Sequence, residues 1–470
     1  MIFHPQNYVG LEGCYTFRGE ISAAAHPALC GASIQEFWHN FTYKSSYLTL
    51  TATDTLTFVV GDVTPLSPDG CEYSIRVTEA GLALAANDER GLKHAYMTLL
   101  DQMEAVEQEG ECAIRIPCCE IKDSPLMANR MVHFCVFPET TLFELGRFVR
   151  MSAALKFTHI VVEFWGMYHF DCMQELAWRT AFTKEEILPI MREARELGLE
   201  VIPMFNHWGH ASAGREMHGK HVVLDQNPTL QTYFTEDGWC WDLRKPKVRD
   251  LLREIRAELI ALCGEGEYFH IGCDEAHGFA FTAENVALIA DFINEVSAEL
   301  GAQNRRAIVW GDMLLCRHGD YNPGNRYYCG APSLEAEADF LARLNRDIVI
   351  ADWQYDVKEA PVETAIALKN AGFDCLLCPW DRDGGRPLKA VVSTIQSGEL
   401  AGLLYTTWHS LSSSMPFVVV AALSGYESIQ GCNPYLFRAK TAALLRKVMP
   451  CGGDYEKAGW SKGQVYSAWW

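Results

Sequence analysis

No stretch of this 470-residue chain is long and apolar enough to cross a bilayer as a helix. Its first residues, MIFHPQNYVG, show no basic start leading into an apolar segment, so no secretory signal is expected and a cytoplasmic location is. Positive charge is in deficit as well. The 40 Lys and Arg stand against 60 Asp and Glu, and the net charge of −20 argues against nucleic acid or an anionic membrane surface as partner. After Phe137 the chain reads PETTLFEL, where a doubly wound nucleotide-binding sheet would need a glycine-rich phosphate loop. No H-E-x-x-H occurs, and neither a metal nor a cofactor is expected. Cysteine, by contrast, is plentiful. Without an export signal the 17 cysteines are expected as reduced thiols rather than a disulfide framework. Cys375 and Cys378 form a C-x-x-C inside an apolar strand-like run, where positions i and i+3 face opposite ways, so core packing is expected there instead of shared ligation.

The length calls for one large domain and a small one. The spacing predicts a small α+β domain over residues 1–122, a second domain over 126–450 and a tail over 451–470. In the first, Tyr47 to Val60 alternates like a hairpin turning at Thr53, Asp54 and Thr55, and Tyr73 to Val77 and Leu82 to Ala85 repeat the strand signal around Gly81. Leu92, Ala95, Tyr96, Leu99, Leu100 and Met103 then fall at helical spacing. The stretch IKDSPLMANR reads as the linker.

From Arg130 onward strands and helices alternate. Strand-like runs fall at Met131 to Phe137, His159 to Phe164, Glu200 to Phe205, Tyr268 to Gly272, Ala307 to Trp310, Ile348 to Trp353, Phe373 to Cys378 and Gly402 to Trp408. Thr183 and Glu186 form a capping box at the head of one intervening helix that Gly198 ends; Pro361 and Gly372 bracket another. Eight strands separated by helices over roughly 300 residues predict an α/β fold, a (β/α)8 TIM barrel.

In such a barrel the catalytic groups stand at the C-terminal ends of the strands. The run YFHIGCDEAH, Tyr268 to His277, places two adjacent carboxylates there, Asp274 and Glu275. An acid pair alone is common on a solvated loop, but the apolar strand leading in and His270 favour a functional reading. On extended backbone the two side chains would point to opposite sides, so one can donate a proton while the other holds a neighbouring group. The other strand ends carry Glu163 and Trp165; Asn206, His207, Trp208 and His210; Trp310 and Asp312; Asp352, Trp353 and Tyr355; Trp380 and Asp381; Trp408 and His409. A single Trp is usually core, but a Trp at end after end fits stacking on sugar rings, with carboxylates accepting from hydroxyls. His207 and His210 are spaced i, i+3 across Gly209, which suggests a loop, and a histidine held by a carboxylate explains them better than a metal.

The segment around Asp274 and Glu275 resembles the H-x-G-G/A-D-E signature of glycoside hydrolase family 20, the β-N-acetylhexosaminidases, with Cys273 in the small-residue position. Gly91 to Met103 resembles the helix of the small domain that precedes the family's barrel, and the likeness covers about Arg130 to Leu411. It implies a retaining exo-β-N-acetylhexosaminidase that removes terminal β-linked GlcNAc or GalNAc by substrate-assisted catalysis through an oxazolinium intermediate. On that resemblance Glu275 is the acid and Asp274 the partner of the acetamido N–H. Arg130 stands for the arginine that grips the 3- and 4-hydroxyls. His210 matches the glycine-histidine pair of strand three, and Trp310, Trp353 and Trp408 match the tryptophans that wall the acetamido pocket. Tyr355 is the candidate donor to the acetamido oxygen.

The chain departs from the family at Met204 and Asn206, where most members have acidic residues, and at Ser410, where most have Glu. It looks closer to the hexosaminidase D-like branch, which has a glutamate comparable to Glu163 at the end of strand two. These departures leave the choice between GlcNAc and GalNAc open. Two other readings stand beside this one: a conventional retaining β-glycosidase with Glu163 as nucleophile, and a non-catalytic sugar-binding barrel. A homodimer is compatible with the sequence, which leaves the oligomeric state open.

Overall fold

The computed structural model describes residues 3–17, 71–108, 111–212, 223–322, 327–381, 386–408, 411–429 and 442. The expected 47–60 hairpin, His409, Ser410 and the 451–470 tail lie outside them.

Among the described residues, the first domain forms a five-stranded antiparallel sheet with one helix against it. Its strands are β1 (Asn7–Phe17), β2 (Tyr73–Thr78), β3 (Gly81–Ala86), β4 (Glu104–Gln108) and β5 (Glu111–Asp123), ordered β1-β5-β2-β3 with β4 paired to β5. Helix α1 (Glu89–Gln102) is capped by Asp88, whose carboxylate accepts the Gly91 N–H at 2.7 Å, and it buries Leu92, Ala95, Tyr96, Leu99 and Leu100. Three of these strands, β1, β4 and β5, are not expected from the residue pattern. In β1 the register breaks between Gly10 and Cys14, and β5 carries Pro117 and adjacent cysteines, so neither shows clean alternation.

The second domain is a closed parallel barrel of β6 (Asn129–Cys135), β7 (His159–Glu163), β8 (Glu200–Met204), β9 (Tyr268–His270), β10 (Arg306–Trp310), β11 (Val349–Asp352), β12 (Asp374–Leu377) and β13 (Gly402–Tyr405). All eight lie within a few residues of the runs read from the sequence. Period-two alternation divides their side chains. Met131, Val161, Ile202, Met204, Ile308, Trp310 and Leu404 fill the lumen, while Val132, Phe134, Ile160, Val162, Phe269 and Leu403 pack outward against the helices. Cys375 belongs to the outer layer and Cys378 to the lumen, both as free thiols, so they face apart as expected. The helix Lys184–Glu196 starts on the Thr183–Glu186 capping box.

The same alternation corrects the expectation for Arg130. It is in phase with Val132 and Phe134 and points out of the barrel, at the strand's first turn rather than its mouth. There it is 1% exposed and donates to the carbonyls of Lys156 (3.1 Å) and Met127 (2.8 Å) and to the Tyr426 hydroxyl (3.0 Å), with Glu72 of the first domain 3.6 Å away. Burial alone would raise the Glu72 carboxyl, but His94, Arg130 and Tyr426 hold it far below the usual range. Beside this cluster the buried Lys156 ammonium sits 3.5 Å from Asp123 and 3.9 Å from the centre of the Tyr426 ring. Arg130 therefore fastens the small domain to the base of the barrel. Replacing it by Met should cost about 3–5 kcal/mol in chemical denaturation, because it strands the buried Glu72 charge. KM for any sugar substrate should stay within about twofold of the wild type, whereas loss of a hydroxyl-gripping group would raise it well beyond that.

Candidate active site

The β9 strand ends at His270, whose burial keeps the imidazole neutral and whose Nδ1 accepts the Gly272 N–H at 3.1 Å. The chain then turns through the left-handed region at Gly272 (φ 66°), Cys273 (φ 77°) and Glu275 (φ 42°). Two close approaches hold this turn. A Cβ on Gly272 would lie 1.7 Å from Asn206 Oδ1, and one on Gly209 would lie 1.9 Å from the Asp274 carbonyl oxygen, so the loops after β8 and β9 interlock backbone to backbone. The backbone of Glu275 is held at both ends. Its N–H donates to Asp312 Oδ2 at 2.9 Å, and its carbonyl accepts from the Trp239 indole and from the His277 N–H.

This geometry revises the extended-backbone expectation for the pair. Instead of facing apart, both acids reach His210, whose Nε2 lies 2.8 Å from Glu275 Oε2 and 3.5 Å from Asp274 Oδ2. His210 is itself left-handed (φ 54°), with its ring 4.7 Å from that of Trp239. Burial would lower its pKa, but the charges of Asp274 and Glu275 and the bond to Glu275 outweigh it and push the imidazole up to about 9. Burial raises the Asp274 carboxyl well above its ordinary range, helped by the nearby charges of Asp312 and Glu275. Burial acts on Glu275 in the same sense, but the His210 bond and charge prevail and lower it. Burial and the His210 contact thus push the two neighbouring carboxyls in opposite directions.

Above the acids lies a cavity of about 240 Å³ lined by Trp165, Asn206, His210, Asp274, Glu275, Tyr328, Trp353, Tyr355, Trp380 and Trp408. Its volume suits one sugar ring, and its walls are mainly aromatic faces. Trp353 stacks near Tyr355 (5.1 Å between ring centres) and Tyr328 (4.7 Å). Trp310, expected as a wall, is not among the lining groups. Fully buried on the barrel axis, it packs beneath Trp408 at 5.9 Å and on His270 at 4.3 Å, because the last residue of β10 points into the lumen below the mouth. A larger cavity of about 550 Å³ lies beyond the loop, lined by Trp208, Trp241, His277 and Phe279 among others. It contains neither acid, and the chemistry therefore selects the smaller one.

Glu163 lies in a narrow recess of about 10 Å³ that shares Trp165, Asn206 and His210 with the main cavity. Its Oε2 is 3.1 Å from His133 Nε2 and its Oε1 accepts from the Asn206 amide at 2.9 Å. His133, whose ring also lies 4.6 Å from Trp408, was not foreseen, although its lumen-facing phase with Met131 marks it. Trp239 and Tyr328 come from connecting loops, where no periodicity could have marked them. Among the described residues, two sets of metal-capable side chains have ligand atoms within 4.8 Å of one another: His133, Cys135 and Glu163, and His210, Asp274 and Glu275. In each set a histidine–carboxylate hydrogen bond joins two of the three groups.

Residues 162–382 match the family model described as glycosyl hydrolase family 20, catalytic domain. Among solved structures, an exo-β-N-acetylglucosaminidase from Vibrio harveyi in complex with N-acetylglucosamine superposes with a TM-score of 0.68 at 16% identity, covering 95% of this chain and 77% of that one. A β-N-acetylhexosaminidase from Bacteroides fragilis gives 0.64 at 18% identity over 97% of this chain and 95% of its own. An N-acetyl-β-hexosaminidase from Streptomyces plicatus gives 0.64 at 16% over 97% and 94%. At such identities the superpositions establish the shared fold.

The raised His210 pKa sets a pH signature. The imidazolium's contribution to stability is complete below about pH 6.5, its ordinary pKa, and is lost as pH rises through about 9. Unfolding free energies of wild type and His210→Gln should therefore differ most below pH 6.5 and converge above 9. A gap independent of pH would contradict the ion pairing.

Proposed function

We propose that this chain, a glycoside hydrolase with a family 20 catalytic domain on a (β/α)8 barrel, is a retaining exo-β-N-acetylhexosaminidase that releases terminal β-linked GlcNAc or GalNAc through the substrate's own acetamido group. The observation that carries the reading is the convergence of Asp274 and Glu275 on one side of an aromatic cavity of single-sugar size.

Glu275 protonates the glycosidic oxygen as the C1–O bond breaks, and the acetamido oxygen closes on C1 to form the oxazolinium ring. Asp274 accepts the acetamido N–H and stabilises the positive charge that develops on nitrogen. Water then attacks C1 while Glu275 takes its proton, restoring the acetamide with the β-configuration retained. Without substrate, burial raises the Asp274 carboxyl and the His210 bond lowers that of Glu275. Substrate binding reverses this: the acetamido N–H supports an ionised Asp274, while the sugar shields Glu275 from water and favours its acid form.

Tyr355 is the donor to the acetamido oxygen. Its own oxygen accepts from the Trp408 indole at 2.6 Å, with the Thr406 hydroxyl, which donates to the Pro379 carbonyl at 3.0 Å, 3.3 Å away. Tyr328 instead spends its proton on Asp356 at 2.7 Å. Trp353 and Trp408 enclose the acetamido methyl, and Glu163, oriented by His133 and Asn206, serves a ring hydroxyl. The alternative with Glu163 as nucleophile is disfavoured by its narrow recess and by the donors on both carboxylate oxygens. The reading carries a cytoplasmic location with it, supported by the buried free thiols.

Hydrolysis of aryl β-GlcNAc, β-GalNAc and β-glucoside side by side tests the acetamido role. The glucoside should be slower by about 10³-fold or more, and comparable rates would overturn the mechanism. Asp274→Ala should lower kcat on the N-acetyl substrates by about 10²–10³-fold and leave any residual glucoside rate nearly unchanged.

A further inference from the structure

Asp312 opens the short 3-10 turn Asp312–Leu314 after β10 and is 5% exposed. Its carbonyl accepts the Gly330 N–H at 2.7 Å, which pins the turn from the opposite loop. With the backbone fixed, the two carboxylate oxygens serve different donors. Oδ2 takes the backbone N–H of Glu275 at 2.9 Å, and Oδ1 takes the indole N–H of Trp353 at 3.2 Å. One of these donors belongs to the acid and the other to the wall of the sugar cavity.

We propose that Asp312 is a positioning residue that ties the fit of the acetamido pocket to the alignment of the acid. This rests on the function proposed above. Glu275 sits at φ 42°, a conformation that an L-residue keeps only where its surroundings over-determine it. Its carbonyl is held from Trp239 and His277, so Asp312 is the group that fixes its amide end. Trp353 forms part of the cavity wall, so a bound group pressing on its ring bears on the other oxygen of the same carboxylate. An ionised carboxylate can accept from both donors. An amide cannot, since its NH2 would face one of the two N–H groups. Burial pushes the Asp312 carboxyl up to about 7, while the bonds from Glu275 and Trp353 favour its charged form.

The test uses the full chain as wild type, Asp312→Asn, Trp353→Phe, the double variant and Glu275→Gln, with a series of aryl β-N-acetylglucosaminides of decreasing leaving-group acidity. If Asp312 acts through the acid, Asp312→Asn loses about tenfold in kcat/KM on the most activated substrate and about a hundredfold or more on the least, so that its leaving-group dependence steepens toward that of Glu275→Gln. Trp353→Phe steepens it less, and the double variant falls short of the product of the single losses. An equal loss across the series, or strictly multiplicative effects, overturns the proposal. Circular dichroism and thermal unfolding accompany each variant. Should Asp312→Asn fail to fold, Trp353→Phe decides alone: a steeper slope supports the coupling and a uniform loss overturns it. Failure of the functional reading would appear separately, as a wild type that cleaves the β-glucoside as fast as the N-acetyl substrates.

Discussion

The contact between Gly209 and the Asp274 carbonyl governs the site. Because position 209 lacks a side chain, the loop after β8 lies directly on the loop after β9, with no room for even a methyl group between them. That contact brings His210 against both acids, and the left-handed turns at Cys273 and Glu275 swing two sequence neighbours toward one mouth. Left-handed residues cost free energy. Here the cost is offset by the hydrogen bonds that Asp312, Trp239 and His277 make to the Glu275 backbone.

The electrostatics follow from the same packing. Asp274, Asp312 and Glu163 crowd negative charge into a buried volume with His210 as the principal cation among the groups facing it. Burial and mutual repulsion raise the Asp274 carboxyl, while His210 lowers that of Glu275. On the proposed mechanism, a neutral substrate offering one N–H donor to Asp274 would favour its ionised form without bringing in charge. The aromatic lining contributes by excluding water, which strengthens each of these interactions.

Much of the fold was legible because the physics that builds it is local. The eight barrel strands are short apolar runs separated by helices, and each lies within a few residues of its expected position. The antiparallel strands β1 and β5 were not, since a register break at Gly10 to Cys14 and Pro117 obscure their alternation. At the site the acid pair and His210 were visible as chemistry at strand ends, but their convergence was not. It depends on positive φ values at Cys273 and Glu275, which no residue type there advertises. Arg130 is the opposite case: resemblance placed it at the sugar, while its phase with Val132 and Phe134 placed it outside the lumen, and phase prevailed. Trp310 shows the limit of counting strand-end tryptophans, because a side chain at the end of β10 can lie one layer too deep to meet a ligand.

The central claim is that one N-acetylated sugar is shared by Asp274 at its amide and Glu275 at its bridging oxygen. A crystal structure with the thiazoline mimic of the cyclised sugar tests this most directly. The account predicts the thiazoline nitrogen within about 2.6–3.1 Å of an Asp274 carboxylate oxygen, its methyl group between Trp353 and Trp408, and Glu275 on the face where the leaving group would stand. A mimic bound with its nitrogen away from Asp274, or seated outside this aromatic cavity, would contradict it.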